Sequence, residues 1–184
     1  NNELADKGFL LTTADQLISL ANAYVILKAQ LTPQEDGAWT GSITRAADWI
    51  QANFPKGNIN YVPTGAVALL SASRALPNPK ASWLTKADSL MAQTVAAING
   101  DDLLTGEGNG VDLGYNIAQS IGFIAMYGRM LPSPPHVDTA AKLMKAHQYF
   151  MYPNGAIDNS WGTRSFKWDL ESGTKTAPGV FFSF

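Results

Sequence analysis

The chain has 184 residues, of which 46% are hydrophobic and 15% are charged, so it is long and apolar enough to build one ordinary folded domain. Its 13 basic and 15 acidic residues give a net charge of -2, which argues against a nucleic-acid partner. The sequence has no cysteine, which excludes disulfides, a cysteine nucleophile and thiolate metal sites. No uncharged apolar run approaches the roughly 20 residues of a membrane helix, so we predict no membrane partner.

The spacing of apolar residues predicts six helices in chain order. Their approximate bounds are residues 14–31, 40–54, 63–76, 79–99, 113–130 and 135–151. We expect Thr13 to cap the first helix and Pro33 to end it, with Thr40 or Ser42 opening the second. Asn78 is expected to open the fourth.

Two similar segments, which we call the echo segments, precede the third and the fifth helix. Gly57-Asn58-Ile59-Asn60-Tyr61 precedes the third helix, and Gly108-Asn109-Gly110-Val111-Asp112 precedes the fifth. Both of these helices are apolar almost all round, whereas the helices between them have a polar face. This alternation is typical of stacked helical hairpins in a ring. The predicted fold class is therefore all-α, with antiparallel hairpins of a partial α/α toroid, and a plain helical bundle is the alternative.

The composition changes after Met151. Residues 152–184 are rich in Gly, Pro and Trp, lack a helical period, and end in the β-favouring run Val180-Phe181-Phe182-Ser183-Phe184. We expect a helical array over residues 1–151 and a loop-rich, β-prone junction over 152–184. Because an exposed β-favouring run invites aggregation, we interpret the chain as a piece of a longer protein.

Standard catalytic signatures are missing from the sequence. Neither a hydrolase nucleophile motif, a zinc-protease motif, a phosphate loop nor a dinucleotide fingerprint is present. The stretch from Gly106 to Gly110 follows no predicted strand, which disfavours phosphate binding. With two histidines well apart, we predict no metal site and no cofactor.

Three loci remain as candidates for chemistry. In the first, Tyr115, Asn116 and Gln119 lie close together on one side of the fifth helix, and Asp112 is placed to cap it. If this helix is an inner one, its amides and phenol point into the mouth of the ring, where a sugar supplies hydrogen-bond partners. Hydrogen bonding to neighbouring loops is the alternative reading.

The second locus is the end of the sixth helix, and the third is the loop beyond it. His147 is placed either to stabilise the helix terminus or to act as an acid or base, and Tyr152 follows it. The loop carries amide, aromatic and cationic side chains typical of carbohydrate sites: Asn159, Trp161, Arg164, Lys167 and Trp168. The alternative is that the two tryptophans plug the junction with a β domain.

The segment Asp112-Leu113-Gly114-Tyr115-Asn116 and the loop from Tyr152 to Gly162 resemble the helical-toroid domain of polysaccharide lyases of the heparinase II/III and alginate or chondroitin lyase type. The resemblance covers about residues 57–184. It implies an incomplete α/α toroid followed by a β-sandwich in the parent chain, a secreted or periplasmic location, and a uronate-containing polysaccharide as substrate.

The resemblance also implies β-elimination. In such lyases an Asn, His or Arg neutralises the uronate carboxylate, a Tyr or His removes the C5 proton, and a Tyr often protonates the leaving oxygen. Asn116, Asn159 and Arg164 are the candidates for the carboxylate. The candidates for base and acid are Tyr115, Tyr149, Tyr152 and His147, with Gln119, Trp161, Lys167 and Trp168 binding the sugar.

Two other functions stay open. A glycoside hydrolase needs two carboxylic acids, for which Asp112 and Asp158 are the best pair. A glycan-binding or structural domain would use the tryptophans and Arg164 without any reaction.

Overall fold

The computed structural model describes residues 10–55, 57–108, 110–132, 135–153, 155, 158 and 162. Within these residues the chain is all-α, as predicted, with six α-helices and one short β-hairpin. The first four helices are α1 (Leu10–Leu27), α2 (Pro33–Asn53), α3 (Tyr61–Ala75) and α4 (Ala81–Ala96). The hairpin strands β1 (Thr105–Glu107) and β2 (Gly110–Val111) precede α5 (residues 113–129) and α6 (Pro135–His147). Single 3-10 turns, Lys28–Gln30 and Gln148–Phe150, extend α1 and α6.

The predicted boundary between the first two helices is wrong. Thr32 Oγ1 accepts from the backbone N–H of Glu35 at 3.3 Å, and the Glu35 carboxylate accepts from the backbone N–H of Thr32 at 2.8 Å. This reciprocal pair is a capping box, and Pro33 occupies the first turn, where its missing N–H costs nothing. Pro33 therefore opens α2 rather than ending α1, and Thr40 and Ser42 lie inside α2.

Two other predicted starts also move. Thr13 lies within α1, which the structure describes from Leu10, so it is not a cap. The fourth helix begins at Ala81 rather than at Asn78. The predicted cap at Asp112 is confirmed, because its side chain accepts from the backbone N–H of Tyr115.

The chain divides into two compact units. One consists of Asn1–Gly57 with Thr64–Leu90, and the other of Asn58–Pro63 with Met91–Phe184. In the first unit α1 and α2 pack as a hairpin, and the Tyr24 hydroxyl donates to Asp36 Oδ1 at 2.7 Å. Helix α4 joins α2 where Asp48 accepts from Lys80 at 2.7 Å and from the indole N–H of Trp83 at 3.0 Å.

The second unit holds the β-hairpin and the α5/α6 pair. The hairpin strands are antiparallel, with Thr105 opposite Val111. Helices α5 and α6 pack closely at Gly128, where an added Cβ would lie 2.7 Å from the backbone N of Val137. The glycine-rich stretch after Gly106, which the sequence did not predict to be strand, is the turn of this hairpin.

The prediction of a deeply buried third helix is confirmed. Every residue from Val62 to Ser73 in α3 is buried, including Thr64, Ser71 and Ser73. Small side chains on most of this helix allow neighbours to approach on every side; an added Cβ at Gly65 would lie 2.5 Å from the Phe54 ring. The arrangement of the hairpins in a ring stays a prediction.

Among the described residues, one helix is long and apolar enough to cross a membrane by length and composition. It covers Leu10–Gln30, with 33% of its apolar window buried and with Val25 and Ile26 exposed. Its apolar run is interrupted by Asp15 and Lys28. The core helix of a folded domain and a leader segment meet the same criterion. The hydrogen bond from Tyr24 to Asp36 is a contact that a core helix makes. The expectation of no membrane partner stays a prediction.

Candidate functional site

The segment before α3 bonds to the β-hairpin and to α5 in the second unit. Asn58 Nδ2 donates to Glu107 Oε1 at 2.8 Å, and the backbone N–H of Ile59 donates to the Gly106 carbonyl at 3.3 Å. Asn60 Nδ2 donates to Gln119 Oε1. These bonds place the polar side chains of Asn58, Asn60, Glu107 and Gln119 in one cluster.

Sequence reasoning missed Asn58, Asn60 and Glu107 as members of this cluster. Asn60 and Glu107 are fully buried, and the cost of burying a carboxylate and an amide is offset by their hydrogen bonds. The sequence signal for Asn58 and Asn60 is their place in the echo segment before α3, where Asn58 matches Asn109 of the segment before α5. Glu107 lies outside both echo segments, and no sequence signal singles it out.

Helix α5 contains a π-helical turn over Asn116–Ile121, between regular turns at Leu113–Tyr115 and Gly122–Arg129. Such turns widen the helix and are frequent at functional sites. Asn116 and Ser120 on this turn are fully buried, and Asn116 Nδ2 donates to the Leu104 carbonyl at 3.1 Å. Asn116 Oδ1 and Ser120 Oγ have no hydrogen-bond partner among the described residues.

Gln119 differs from its buried neighbours in being partly exposed. Its Oε1 accepts from Asn60, which fixes the orientation of the amide group. Its Nε2 therefore keeps two N–H donors that can face a ligand. Tyr115, four residues earlier and also partly exposed, lies on the same side of α5.

Asp112 performs a structural task at the start of α5. Its Oδ1 accepts from the backbone N–H of Tyr115 at 3.0 Å. An isolated antiparallel β-bridge joins Asp112 to Gly162, whose φ of 149° and close approach leave no room for a Cβ, which would lie 2.8 Å from Asp112 Oδ2. Gly162, from the loop of the third locus, is therefore paired with Asp112 at the start of the first locus.

His147 lies on the inner side of α6. Its side chain is 1% exposed, and its Nδ1 lies 2.8 Å from the Leu143 carbonyl. Since a carbonyl only accepts, Nδ1 carries the proton and Nε2 holds a lone pair. Burial lowers the pKa of the His147 imidazole, and the Leu143 carbonyl partly opposes this effect. Nε2 has no partner within the described ranges.

Tyr152 and Asp158 form a second, more exposed pair. Tyr152 is 40% exposed, and its pKa is raised by desolvation, then by the charge of Asp158 and by a hydrogen bond to that carboxylate. The backbone N–H of Asp158 donates to the Phe150 carbonyl at 2.8 Å, which ties Asp158 to the 3-10 turn that follows α6. Tyr152 therefore holds its proton at neutral pH.

The structure thus brings together some of the predicted site residues. Tyr115, Asn116 and Gln119 lie in one cluster on α5, while His147 and Tyr152 lie at the end of α6. Asp158 and Gly162 are four positions apart in the chain, which limits the distance between them to about 14 Å. The predicted sugar-binding residues Asn159, Trp161, Arg164, Lys167 and Trp168 lie outside the described residues. Among the residues that are described, no group of three His, Asp or Glu side chains is placed to hold a metal ion.

The comparisons with known proteins place this helical domain among the polysaccharide lyases. The sequence pattern of the ulvan lyase N-terminal domain matches residues 1–184, so the chain belongs to that family. The chain is 32% identical over 158 residues to a broad-specificity ulvan lyase of Formosa agariphila; the match covers 77% of this chain and 24% of the relative. The chain thus spans about a quarter of that relative's length. No solved structure gives a significant match.

Proposed function

We propose that the protein cleaves a uronate-containing polysaccharide of the ulvan type by β-elimination. Family membership and the printed activity of the relative support the substrate class. The observation that carries the proposal in this chain is the Asn60–Gln119 hydrogen bond, which holds Oε1 of a partly exposed amide four residues from the partly exposed Tyr115.

Binding of the uronate carboxylate falls to Gln119 in this scheme. Its Nε2 donates two hydrogen bonds to carboxylate oxygens while Asn60 holds its Oε1. Hydrogen bonds to the carboxylate become stronger as negative charge moves onto it from C5, so they favour the transition state over the ground state. Asn116, predicted as a catalytic amide, is fully buried on the Leu104 carbonyl and supports the π-turn that carries Gln119.

The elimination takes one proton from C5 and delivers one proton to O4. Tyr115 in its phenolate form accepts the C5 proton and becomes a phenol, the C5–H electron pair forms the C4–C5 double bond, and the C4–O4 bond breaks with its pair on oxygen. Tyr152 donates a proton to that leaving oxygen. A raised pKa suits Tyr152 to the acid role rather than to the base role, because it stays protonated until the oxygen acquires charge.

His147 is too deeply buried to meet a sugar in this structure. Its Nε2 has no hydrogen-bond partner among the described residues, so we assign it no step of the reaction. A hydrolase that uses Asp112 and Asp158 gains no support, because Asp112 Oδ1 caps α5 and Asp158 holds Tyr152.

The location and the remaining partners belong to the same proposal. Ulvan-type polysaccharides are polymers too large to enter a cell intact, so we place the protein outside the cytoplasm, secreted or periplasmic. The relative is about four times as long as the matched segment. A further β-sandwich domain in the parent chain stays a prediction.

The test uses ulvan as substrate and records the ultraviolet absorbance of unsaturated uronate together with new reducing ends. Tyr115→Phe is expected to lower kcat by about 10²- to 10⁴-fold, since it removes the base. Gln119→Ala is expected to lower kcat/KM by about tenfold or more through the lost carboxylate contact. The matched control is Gln93→Ala, a glutamine exposed on α4.

Equal loss in the control, or full activity in Tyr115→Phe, would contradict these roles. Reducing ends that form without absorbance would show hydrolysis instead of elimination.

A further inference from the structure

The outer side of α6 carries cationic and aromatic side chains that the proposed reaction does not use. Lys142, Lys145 and Tyr149 follow one another at spacings of three and four residues, so they lie on one side of α6 and its 3-10 extension. The opposite side is buried through Leu143, Met144 and His147. We call Lys142, Lys145 and Tyr149 the outer strip.

Tyr149 is the most exposed large hydrophobic residue of the described chain, at 87% exposure. An aromatic ring this exposed gains nothing from burial in the free protein, because it keeps almost its whole surface in water. Tyrosine is favoured at binding surfaces because its rigid ring supplies contact area at a low entropic cost. A flat exposed ring fits the C–H face of a sugar.

The two lysines on this side of α6 differ in their acidic neighbours. Lys142 Nζ lies 2.8 Å from Asp102 Oδ1, and Asp138 is one turn nearer the helix start, so Lys142 has acidic neighbours. Lys145, four residues before Tyr149, is exposed and makes no ion pair with any described residue. The positive charge of Lys145 is therefore available to an anion beside the ring.

We propose that Lys145 and Tyr149 form an additional subsite for an anionic polysaccharide, in which Tyr149 stacks on a sugar ring and Lys145 pairs with a uronate carboxylate. The subsite rests on the proposed function for the identity of the polymer. It lies two residues from His147, on the opposite side of the same helix end, and binds a sugar unit other than the two that the cleaved bond joins. Its contribution is binding of long substrates, not chemistry.

The experiment measures binding apart from turnover. The full protein carrying Tyr115→Phe, which is expected to cleave the polymer about 10²- to 10⁴-fold more slowly, is run through gels containing native ulvan, carboxyl-reduced ulvan or dextran, and its retardation gives the affinity. Lys145→Glu and Tyr149→Ala are each expected to weaken binding to native ulvan by about three- to tenfold. Tyr149→Phe, which keeps the ring, is expected to bind as the parent protein does.

The matched control is Lys28→Glu, which makes the same charge change at an exposed lysine after α1. Unchanged binding in Lys145→Glu and Tyr149→Ala would overturn the subsite, as would an equal effect of Lys28→Glu. Equal retardation by native and carboxyl-reduced ulvan would overturn the carboxylate assignment. Each of these results is independent of whether the protein eliminates or hydrolyses, so failure of the subsite and failure of the proposed reaction are distinguishable.

Discussion

His147 shows how one buried side chain links the fold to pH. Its imidazole is buried, its Nδ1–H bonds to the Leu143 carbonyl, and burial lowers its pKa in the folded protein. In the unfolded chain the same group titrates near its usual value of about 6.5. Between the two pKa values the unfolded chain binds a proton that the folded protein does not, so protonation favours unfolding.

We therefore predict that the free energy of unfolding is insensitive to His147 above about pH 6.5 and decreases as the pH falls below that value. His147→Gln removes the titrating group and should flatten this part of the stability profile. The measurement is urea unfolding at a series of pH values, with the linear extrapolation compared between variants. His136→Gln, which alters the other histidine of the chain, is the control.

A profile that keeps its full slope in His147→Gln, or loses it equally in His136→Gln, would show that other groups set the acid sensitivity.

At the scale of elements, the contact between α5 and α6 depends on a missing side chain. A Cβ at Gly128 would lie 2.7 Å from the Val137 backbone N and 3.1 Å from the His136 carbonyl carbon. Since backbone atoms cannot move aside as a flexible side chain can, Gly128→Ala must separate the two helices. The same movement would separate the rings of Tyr127 on α5 and His136 on α6, which meet edge to face with their centroids 5.6 Å apart.

We predict that Gly128→Ala destabilises the protein by about 1–3 kcal/mol, the cost of overpacking a close contact. Gly37→Ala is the matched control, because an added Cβ at Gly37 in α2 meets nothing within 4 Å. That substitution should stabilise the helix by about 0.5–1 kcal/mol. Thermal unfolding followed by circular dichroism measures both. If both variants shift the unfolding temperature in the same direction, the close contact at Gly128 is not the cause of the change in stability.

Elements also mark the limit of sequence reasoning. The apolar spacing predicts the existence of all six helices, because the 3.6-residue period survives in each. It misplaces the start of α2, since Pro33 reads equally well as the end of one helix or the first turn of the next. The π-turn at Asn116–Ile121 leaves no distinct sequence signal, because its residues are compatible with an ordinary α-helix.

At the scale of the whole molecule, the sequence predicts only part of the polar cluster on α5. Tyr115, Asn116 and Gln119 are polar residues in an apolar helix, and the sequence shows that contrast directly. Asn60 and Glu107 are 59 and 12 residues from Gln119 in the chain, and only the folded structure reveals that Asn60 bonds to Gln119 and that Asn58 bonds to Glu107. Long-range pairs of this kind depend on how helices pack, which the local pattern does not encode.

The net charge of the chain affects how binding to an anionic polymer depends on salt. With a net charge of -2, the protein has no general attraction for an anionic polymer, so binding must come from a few local contacts such as Lys145. Few ionic contacts release few counterions. The logarithm of the affinity for ulvan should therefore fall with the logarithm of salt concentration at a shallow slope, of about one to two.

Isothermal titration of the Tyr115→Phe protein with ulvan between about 50 and 200 mM salt measures this slope. Lys145→Ala should lower it by about one, because one cation leaves the contact. Lys28→Ala should leave it unchanged. A slope well above two that persists in Lys145→Ala would contradict binding through a few local cations and would place the polymer on a larger basic surface, to which Arg164 and Lys167 are the nearest sequence candidates.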